Sequence, residues 1–367
     1  MRTAAATALG LIIQMTAPIL TERLPATEPW AIARAAELLR SGGTVAFPTE
    51  TVYGLGANAF DPAALARVFA AKDRPAWDPL IVHIGDRAQL DEVAVLDNLA
   101  ADRPVDRVDR LIAAFWPGPL TLLLPRTPAI SDRVTAGRAL VGVRMPSHPV
   151  ALALLAAAGV PIAAPSANRF GHISPTTAAH VLQDLDGRID AILDGGPTSV
   201  GLESTVLDVS VSPMILYRPG GVTLEQIAAI AGPTVLYQTL PQRASSTPQS
   251  LPSPGVGLRH YAPRARLLLV DDPEQSWPAA LRNLSGSNSD ATSRGVMLPD
   301  GWDPAGAAHI YPWGPWGGGS AILARRLYAG LRTLDDLGLS TIVCPVPPLE
   351  GHGAAIRDRL TKAARPA

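Results

Sequence analysis

From about residue 27 the apolar positions recur first at helical and then at strand spacing, over short intervals. Thr27 and Pro29 open a stretch that carries Ile32, Ala35, Leu38 and Leu39 on one side and stops at Gly42-Gly43, which predicts a helix. Thr44-Val-Ala-Phe47 reads as a short buried strand ending at Pro48, and Asp61-Pro62 predicts a second, capped helix containing Leu65, Val68 and Phe69. Further strands are predicted at Leu80 to Ile84, Leu120 to Leu124, Leu140 to Val143, Ile162 to Ala164, Ala191 to Leu193, Thr205 to Val209 and Ile215 to Tyr217. Helices are predicted near 100–114, 148–158, 175–185 and 223–231. Several strands follow one another without room for a helix, so the fold class is α/β (α+β) with a mixed sheet.

Between Gly232 and Pro263 the periodicity disappears, and Pro241, Pro248, Pro252 and Pro254 sit among Gln, Ser and Thr. A segment of that length and composition predicts a linker, disordered or acting as a lid. After it, Arg266 to Val270, Gly295 to Leu298 and Thr341 to Cys344 read as strands and Ser320 to Leu337 as an amphipathic helix, the pattern of a smaller Rossmann-like α/β domain. The expected organisation is a leader over 1–26, a first domain over 27–232, a linker over 233–263 and a second domain over 264–367. The first thirteen residues look like a short signal peptide, but Met15 offers a second start, so the leader is read as disordered or as an over-extended start. Ser285 to Ser293 is expected to be a low-complexity surface loop.

Composition narrows the function classes. With 31 Lys and Arg against 32 Asp and Glu the net charge is −1, so no global basic field marks a nucleic-acid binder. The 32 glycines and 36 prolines follow no G-X-Y period, which excludes collagen. No uninterrupted apolar run reaches the length of a membrane span. The lone Cys344 has no intrachain partner and lies in the apolar run Thr341 to Pro345, so buried packing and a reducing compartment are expected.

Among these basic residues only Lys72 and Lys362 are lysine. A lysine retained in an arginine-biased chain points to a compact charge at a phosphate, against the plainer reading of a solvated helix end suited to the macrodipole. Pro48-Thr-Glu-Thr-Val-Tyr-Gly-Leu-Gly-Ala57 follows a buried strand with hydroxyls and glycine, a loop that can bring donors and backbone close to a ligand or can be an ordinary turn. Ala163-Ala-Pro-Ser-Ala-Asn168 places Ser166 and Asn168 two apart, which on an extended chain aims both the same way. Gly201-Leu-Glu-Ser204-Thr205 and Arg218-Pro-Gly-Gly221 flank strands in a similar manner. There is no G-x-x-x-x-G-K-[ST] loop, G-x-G-x-x-G turn, His/Cys metal spacing or G-x-S-x-G elbow. Gly317-Gly-Gly-Ser320 is read as a flexible start to a helix rather than an anion site. Strand ends bearing cations and small hydroxyl donors suit phosphate or adenylate chemistry in which the substrate supplies the attacking atom.

In order along the chain, Pro48 to Gly56, Lys72-x-Arg74-Pro75 with Pro79-Leu-Ile-Val-His83, Pro117-Gly-Pro-Leu-Thr121, Val143-Arg-Met-Pro146, Pro165-Ser-Ala-Asn168, Ser204-Thr-Val206 and Arg218-Pro-Gly220 closely resemble the YrdC-type threonylcarbamoyl-AMP synthases. Ser253-Pro-Gly-Val-Gly-Leu-Arg-His260-Tyr-Ala-Pro263, Leu331 to Asp335 and Ala355 to Leu360 resemble the linker and last helices of the long, two-domain form. The resemblance implies a twisted mixed sheet with packed helices. It implies a nucleotidyltransferase that converts L-threonine, bicarbonate and ATP to L-threonylcarbamoyladenylate and pyrophosphate, for threonylcarbamoyladenosine modification of tRNA.

By that resemblance Lys72 and Arg74 are the catalytic cations at the phosphates, and Asp78, Ser166, Asn168, Ser174, Arg218, His260 and Tyr261 complete the ATP site. Thr51, His83, Arg144, Ala164 and Ser204 fall at the L-threonine site, Arg144 facing the carboxylate. Mg2+ is expected with ATP, held by phosphate and water rather than by a protein cage. His260 and Tyr261 belong to a lid. Asp78 stands where the family usually has Asn, and a carboxylate there repels phosphate unless it meets magnesium or turns away. Gly351-His-Gly353 replaces a commoner Gly-Leu-Gly, a surface difference. Implied partners are a downstream tRNA-modifying threonylcarbamoyl transferase complex and weakly bound RNA, with no membrane and a cytoplasmic location. The competing readings are a non-catalytic RNA- or tRNA-binding module and an enzyme that adenylates carbamoyl phosphate. For His83 the residues alone favour ordinary packing, as a strand histidine bonded to backbone, and only the motif reverses that.

Overall fold

A computed structural model describes residues 20–96, 104–237, 250, 251, 253–255, 260–271, 273, 274, 276, 277, 279, 281 and 291–365. The first sheet contains β1 (Glu22–Pro25), β2 (Val45–Phe47), β3 (Gly54–Asn58), β4 (Ile81–His83), β5 (Leu120–Pro125), β6 (Leu140–Arg144), β7 (Ile162–Ala163), β8 (Ala191–Asp194), β9 (Thr205–Asp208), β10 (Met214–Arg218) and β11 (Thr234–Leu236). Their spatial order is β1-β8-β2-β3-β7-β4-β6-β5-β9-β10-β11. Pairing is mixed, as expected: β4 and β6 run parallel, as do β5 and β9, while β5 and β6, and β9 and β10, are antiparallel.

The helices of this part are α1 (Pro29–Arg40), α2 (Pro62–Lys72), α3 (Ala88–Val93), α4 (Pro104–Phe115), α5 (Asp132–Thr135), α6 (Pro149–Ala158), α7 (Ala178–Leu185) and α8 (Leu224–Ala231). The Asp61 carboxylate accepts from the amides of Ala63 and Ala64, which caps α2 behind Pro62. Val82, Leu122, Val143 and Leu207 share a core with Leu65, Val68, Leu111 and Ile227. Alternation along the strands sends Ile81, Leu123 and Val206 to the opposite face. That second face holds the candidate site.

The other sheet is parallel, in the order β12-β15-β13-β14, with β12 (Arg266–Val270), β13 (Arg294–Pro299), β14 (His309–Gly314) and β15 (Thr341–Pro345). Its helices α9 (Ser320–Asp336) and α10 (Gly353–Ala363) pack on it around Leu327, Leu331, Ile356 and Leu360, with Cys344 buried among them. The same core contains Val52, Ile173 and Leu202 of the first part and Tyr261 of the linker. Apolar burial therefore runs across the junction without a break.

Three expectations need correction. The leader is expected to reach residue 26, but Glu22–Pro25 is an edge strand with only Leu24 buried as an apolar residue, too weak a pattern to read; residues 1–19 lie outside the described residues. The loop read from Pro48 to Ala57 ends in β3, whose Gly-Leu-Gly-Ala composition hides a strand. Gly56 is required there, because a Cβ would press on Ile162 and Phe47. Third, β11 lies inside the segment read as linker and extends the first sheet, while 238–249 and most of the Ser285 to Ser293 stretch lie outside the described residues. Ser320 does begin a helix after the glycines, and no helix among the described residues is long and apolar enough to cross a membrane.

Candidate active site

The parallel register of β4 and β6 puts His83 beside Arg144 at adjoining strand ends. Next in the sheet, Thr121 of β5 pairs with Val206 of β9, and Arg218 of β10 pairs with Val206 from the other side. Adjacent partners share a face, so Ile81, His83, Arg144, Thr121 and Arg218 all project to the side opposite the main core. Sequence separations of more than a hundred residues are closed by sheet order alone.

Over this floor lies a cavity of about 50 Å3, walled by Thr49, Thr51, Arg74, His83, Arg144, Ala164, Ser166, Glu203, Ser204, Arg218, Gly255, His260 and Tyr261 among others. Ten of the expected site residues therefore meet at one place: Thr51, Arg74, His83, Arg144, Ala164, Ser166, Ser204, Arg218, His260 and Tyr261. The volume suits one or two waters rather than a nucleotide. Pro254, Gly255, His260 and Tyr261 of the linker form one wall of it.

Each cation is already engaged. Arg144 pairs with Glu50 at 2.6 Å and donates to the Thr51 hydroxyl at 3.0 Å and to the Gly118 carbonyl at 3.2 Å. Thr51 must in turn donate to Thr49, because the Thr49 hydroxyl hydrogen goes to the Val52 carbonyl. Arg218 donates to the Ser204 carbonyl at 3.0 Å, to its hydroxyl at 3.1 Å and to the Pro254 carbonyl at 3.3 Å. Arg74 donates to the Pro79 carbonyl at 2.7 Å and pairs with Asp78 at 2.9 Å. Burial drives the His83 imidazole down to about 3, with Arg144 adding to the effect, and His260 down to about 3, with Arg74 adding to it. Both rings are neutral near pH 7.

Lys72, Asp78, Asn168 and Ser174 do not line the cavity. Lys72 does close α2, but it is not solvated there: it is 1% exposed, and its ammonium donates to the carbonyls of Ser166 and Asn168. Burial, with Arg74 nearby, lowers its pKa well below the ordinary lysine value. Asn168 donates to the carbonyls of Arg169 and His172 and thereby folds a turn. The alternation argument for Ser166 and Asn168 fails because β7 stops at Ala163. Ser174 donates to Glu203 at 2.6 Å. Asp78 turns to Arg74, one of the two outcomes expected of a carboxylate there.

Two further site residues lie inside motifs that the sequence singles out, yet the sequence assigns them no role. Glu50 lies in the Pro48 loop and neutralises Arg144. Glu203 lies in the Gly201 turn, and although burial acts to raise its pKa, Arg359, Arg218 and the Ser174 hydroxyl outweigh that and hold the carboxyl at about 2. The signal for either is a carboxylate beside hydroxyls at a strand end; its arginine partner is not visible in local sequence.

A mixed sheet whose face carries converging buried guanidiniums beneath a second α/β unit is the class of architecture that known proteins share with this chain. Residues 37–220 match a family described as Telomere recombination, which groups Sua5, YciO and YrdC, and residues 222–365 match the family described as Threonylcarbamoyl-AMP synthase, C-terminal domain. The threonylcarbamoyl-AMP synthase of Bacillus subtilis is 44% identical, covering 94% of this chain and 95% of the relative, and that of Pyrococcus abyssi is 40% identical, covering 92% and 94%. The crystal structure of Pyrococcus abyssi Sua5 complexed with L-threonine is similar at a TM-score of 0.82 and 38% identity, over 94% of this chain and 97% of that one. The chain belongs to the threonylcarbamoyl-AMP synthase family.

Proposed function

We propose that this protein joins L-threonine, bicarbonate and ATP to give L-threonylcarbamoyladenylate and pyrophosphate, the adenylate then serving threonylcarbamoyladenosine formation in tRNA. The observation that carries this reading is the convergence of Arg74, Arg144 and Arg218 with Thr51, Ser166, Ser204 and neutral His83 around one cavity. A guanidinium fork fits a carboxylate or phosphate through paired N–H bonds, so Arg144 suits the threonine carboxylate and Arg74 and Arg218 suit the phosphates. These are the roles proposed for them. Ser166 supplies an uncharged donor to the nucleotide, with Ala164 leaving space beside it. Thr51, His83 and Ser204 hold the amino acid.

The threonine nitrogen, once neutral, bonds to the bicarbonate carbon, and water is lost to give a carbamate. A carbamate oxygen then bonds to the α-phosphorus while the bond to the bridging oxygen of the β-phosphate breaks, and pyrophosphate carries away the electron pair. The chain has to align these partners and stabilise charge on the phosphoryl oxygens. Mg2+ would be carried by phosphate oxygens and water, where it neutralises charge. Among the described residues no group of three or more His, Cys, Asp or Glu could form a protein cage for it, and Asp78 is turned to Arg74. Lys72 and Asn168 act from beneath, by fixing the loop that presents Ser166.

His260 and Tyr261 close the nucleotide side. ATP as substrate and tRNA modification as destination support a cytoplasmic location, with a threonylcarbamoyl transferase complex as the proposed consumer of the product. The test is pyrophosphate release by purified protein given ATP, bicarbonate and threonine. Dependence on all three is expected. Release driven by carbamoyl phosphate and indifferent to threonine would overturn the reading.

A further inference from the structure

Among the described residues Glu203 is the one carboxylate on the cavity wall, and much of its coordination comes from the second α/β unit. The Arg359 Nε of α10 donates to its Oε2 at 2.8 Å, and the Tyr328 hydroxyl of α9 lies 2.8 and 3.0 Å from its two oxygens. The Arg359 side chain is 1% exposed, and its guanidinium lies 5.2 Å from the Tyr261 ring centroid, a cation–π distance. Tyr261 also stacks with Tyr328 at 5.8 Å. Lys362, three residues after Arg359 and therefore on the same side of the helix, donates to the Gly255 carbonyl at 2.6 Å. Asp358 ties the two cations together, at 2.7 Å from each. Glu203, Gly255 and Tyr261 all line the cavity, so one helix remote in sequence grips three parts of its wall.

We infer that Arg359 is a positioning residue for the nucleotide site, holding the Glu203 carboxylate and the Tyr261 ring so that Arg218 is not drawn onto Glu203 when phosphate arrives. The inference rests on the reading of the cavity as an ATP site. Arg218 bonds to the carbonyl and hydroxyl of Ser204, the residue next to Glu203, and both Arg218 and Glu203 line the cavity. Without Arg359 the buried carboxylate has an unbalanced charge, and Arg218 is its available counter-ion, in competition with phosphate. The second unit thereby gains a role, because its last helix sets the electrostatics of a site built mostly by the first.

The experiment is a double-mutant cycle on the full chain, with Arg359→Met and Glu203→Gln alone and combined, read by ATP KM and threonine KM and by calorimetric binding of a non-hydrolysable ATP analogue. Arg359→Met is expected to raise ATP KM and analogue Kd about tenfold in the parent, but no more than about twofold in the Glu203→Gln background, with threonine KM changed less than about twofold in either. Arg359→Lys, which keeps charge but not the fork, is expected to weaken analogue binding about threefold; it carries the test should Arg359→Met fail to fold. Equal losses in both backgrounds, a threonine KM that moves with that of ATP, or an Arg359→Lys protein indistinguishable from the parent would overturn the inference. Analogue binding keeps it separate from the proposed reaction. A parent that binds the analogue but releases no pyrophosphate defeats the reaction alone, whereas a parent that does not bind it defeats the nucleotide site and the inference with it.

Discussion

Arg74 and Asp78 form a 2.9 Å ion pair in which both side chains are almost completely buried. Burial raises the Asp78 pKa, and Arg74, with Lys72 and Arg218, opposes it. A guanidinium engaged in this way must exchange one anion for another when phosphate arrives. Asp78→Asn keeps an acceptor for Arg74 and removes the competing charge. ATP KM should fall several-fold while unfolding free energy drops by about 1–3 kcal/mol from the weakened bond. Urea unfolding and an ATP titration check both effects, and a higher ATP KM would show that Asp78 does not restrain Arg74.

Lys72 lies beneath the Ser166 loop rather than beside the cavity, bonded to two backbone carbonyls. Lys72→Ala leaves those carbonyls without a donor in a buried setting, each at a cost of about 1–3 kcal/mol. Thermal stability and pyrophosphate release should therefore fall together. A variant that keeps the parental melting temperature yet loses activity would return Lys72 to direct contact with phosphate.

The legible part of this molecule is its local part. The Asp61-Pro62 cap, the short apolar strands and the turn residues after them act over a few positions, so the sequence pattern predicts them. Much of the site follows from the family resemblance of those same strand ends: ten of the expected residues line one cavity. What escapes is non-local. That Lys72 faces carbonyls nearly a hundred residues away, that Ser174 serves Glu203 and that Glu203 takes Arg359 from the last helix are consequences of packing between distant segments. β3 and β1 are hidden for the opposite reason, since glycine and an exposed edge remove the alternation by which strands are recognised.

Gly220 follows β10 and touches the turn that carries Glu203 and Ser204. A Cβ at this position would fall on the backbone of Glu203, Ser204 and Thr205, none of which can swing aside as a side chain tip can. Gly220→Ala should displace that turn and with it the Arg218 bonds to Ser204, lowering kcat/KM at least about tenfold, with a stability loss of about 1–3 kcal/mol typical of overpacking. Gly137→Ala makes a control, because a Cβ there meets nothing within 4 Å, although its φ of 77° carries strain of its own. Steady-state kinetics beside urea unfolding separates the two, and a Gly220→Ala protein with parental activity would show that the turn tolerates displacement.

The two cavity histidines set an acid limit. Burial, reinforced by Arg144 at His83 and by Arg74 at His260, holds each imidazole at about 3, against about 6.5 in an unfolded chain. Between those values the unfolded chain binds protons that the folded one refuses, so the folded state is favoured fully above about pH 6.5 and progressively less below it. The slope approaches about 1.4 kcal/mol per pH unit for each histidine as the pH falls. The Glu203 carboxyl, held at about 2, adds loss in the same direction only below the ordinary glutamate range, so pH 7 to 5 isolates histidines. His180, held at about 4 by burial, and His148, also lowered by burial, contribute from outside the cavity and remain when the cavity pair is replaced. Urea unfolding across that window should show stability declining with acid, and the decline should be shallower in His83→Gln/His260→Gln, since glutamine takes up no proton. An identical slope in that variant would mean that neither ring is held neutral in the folded protein.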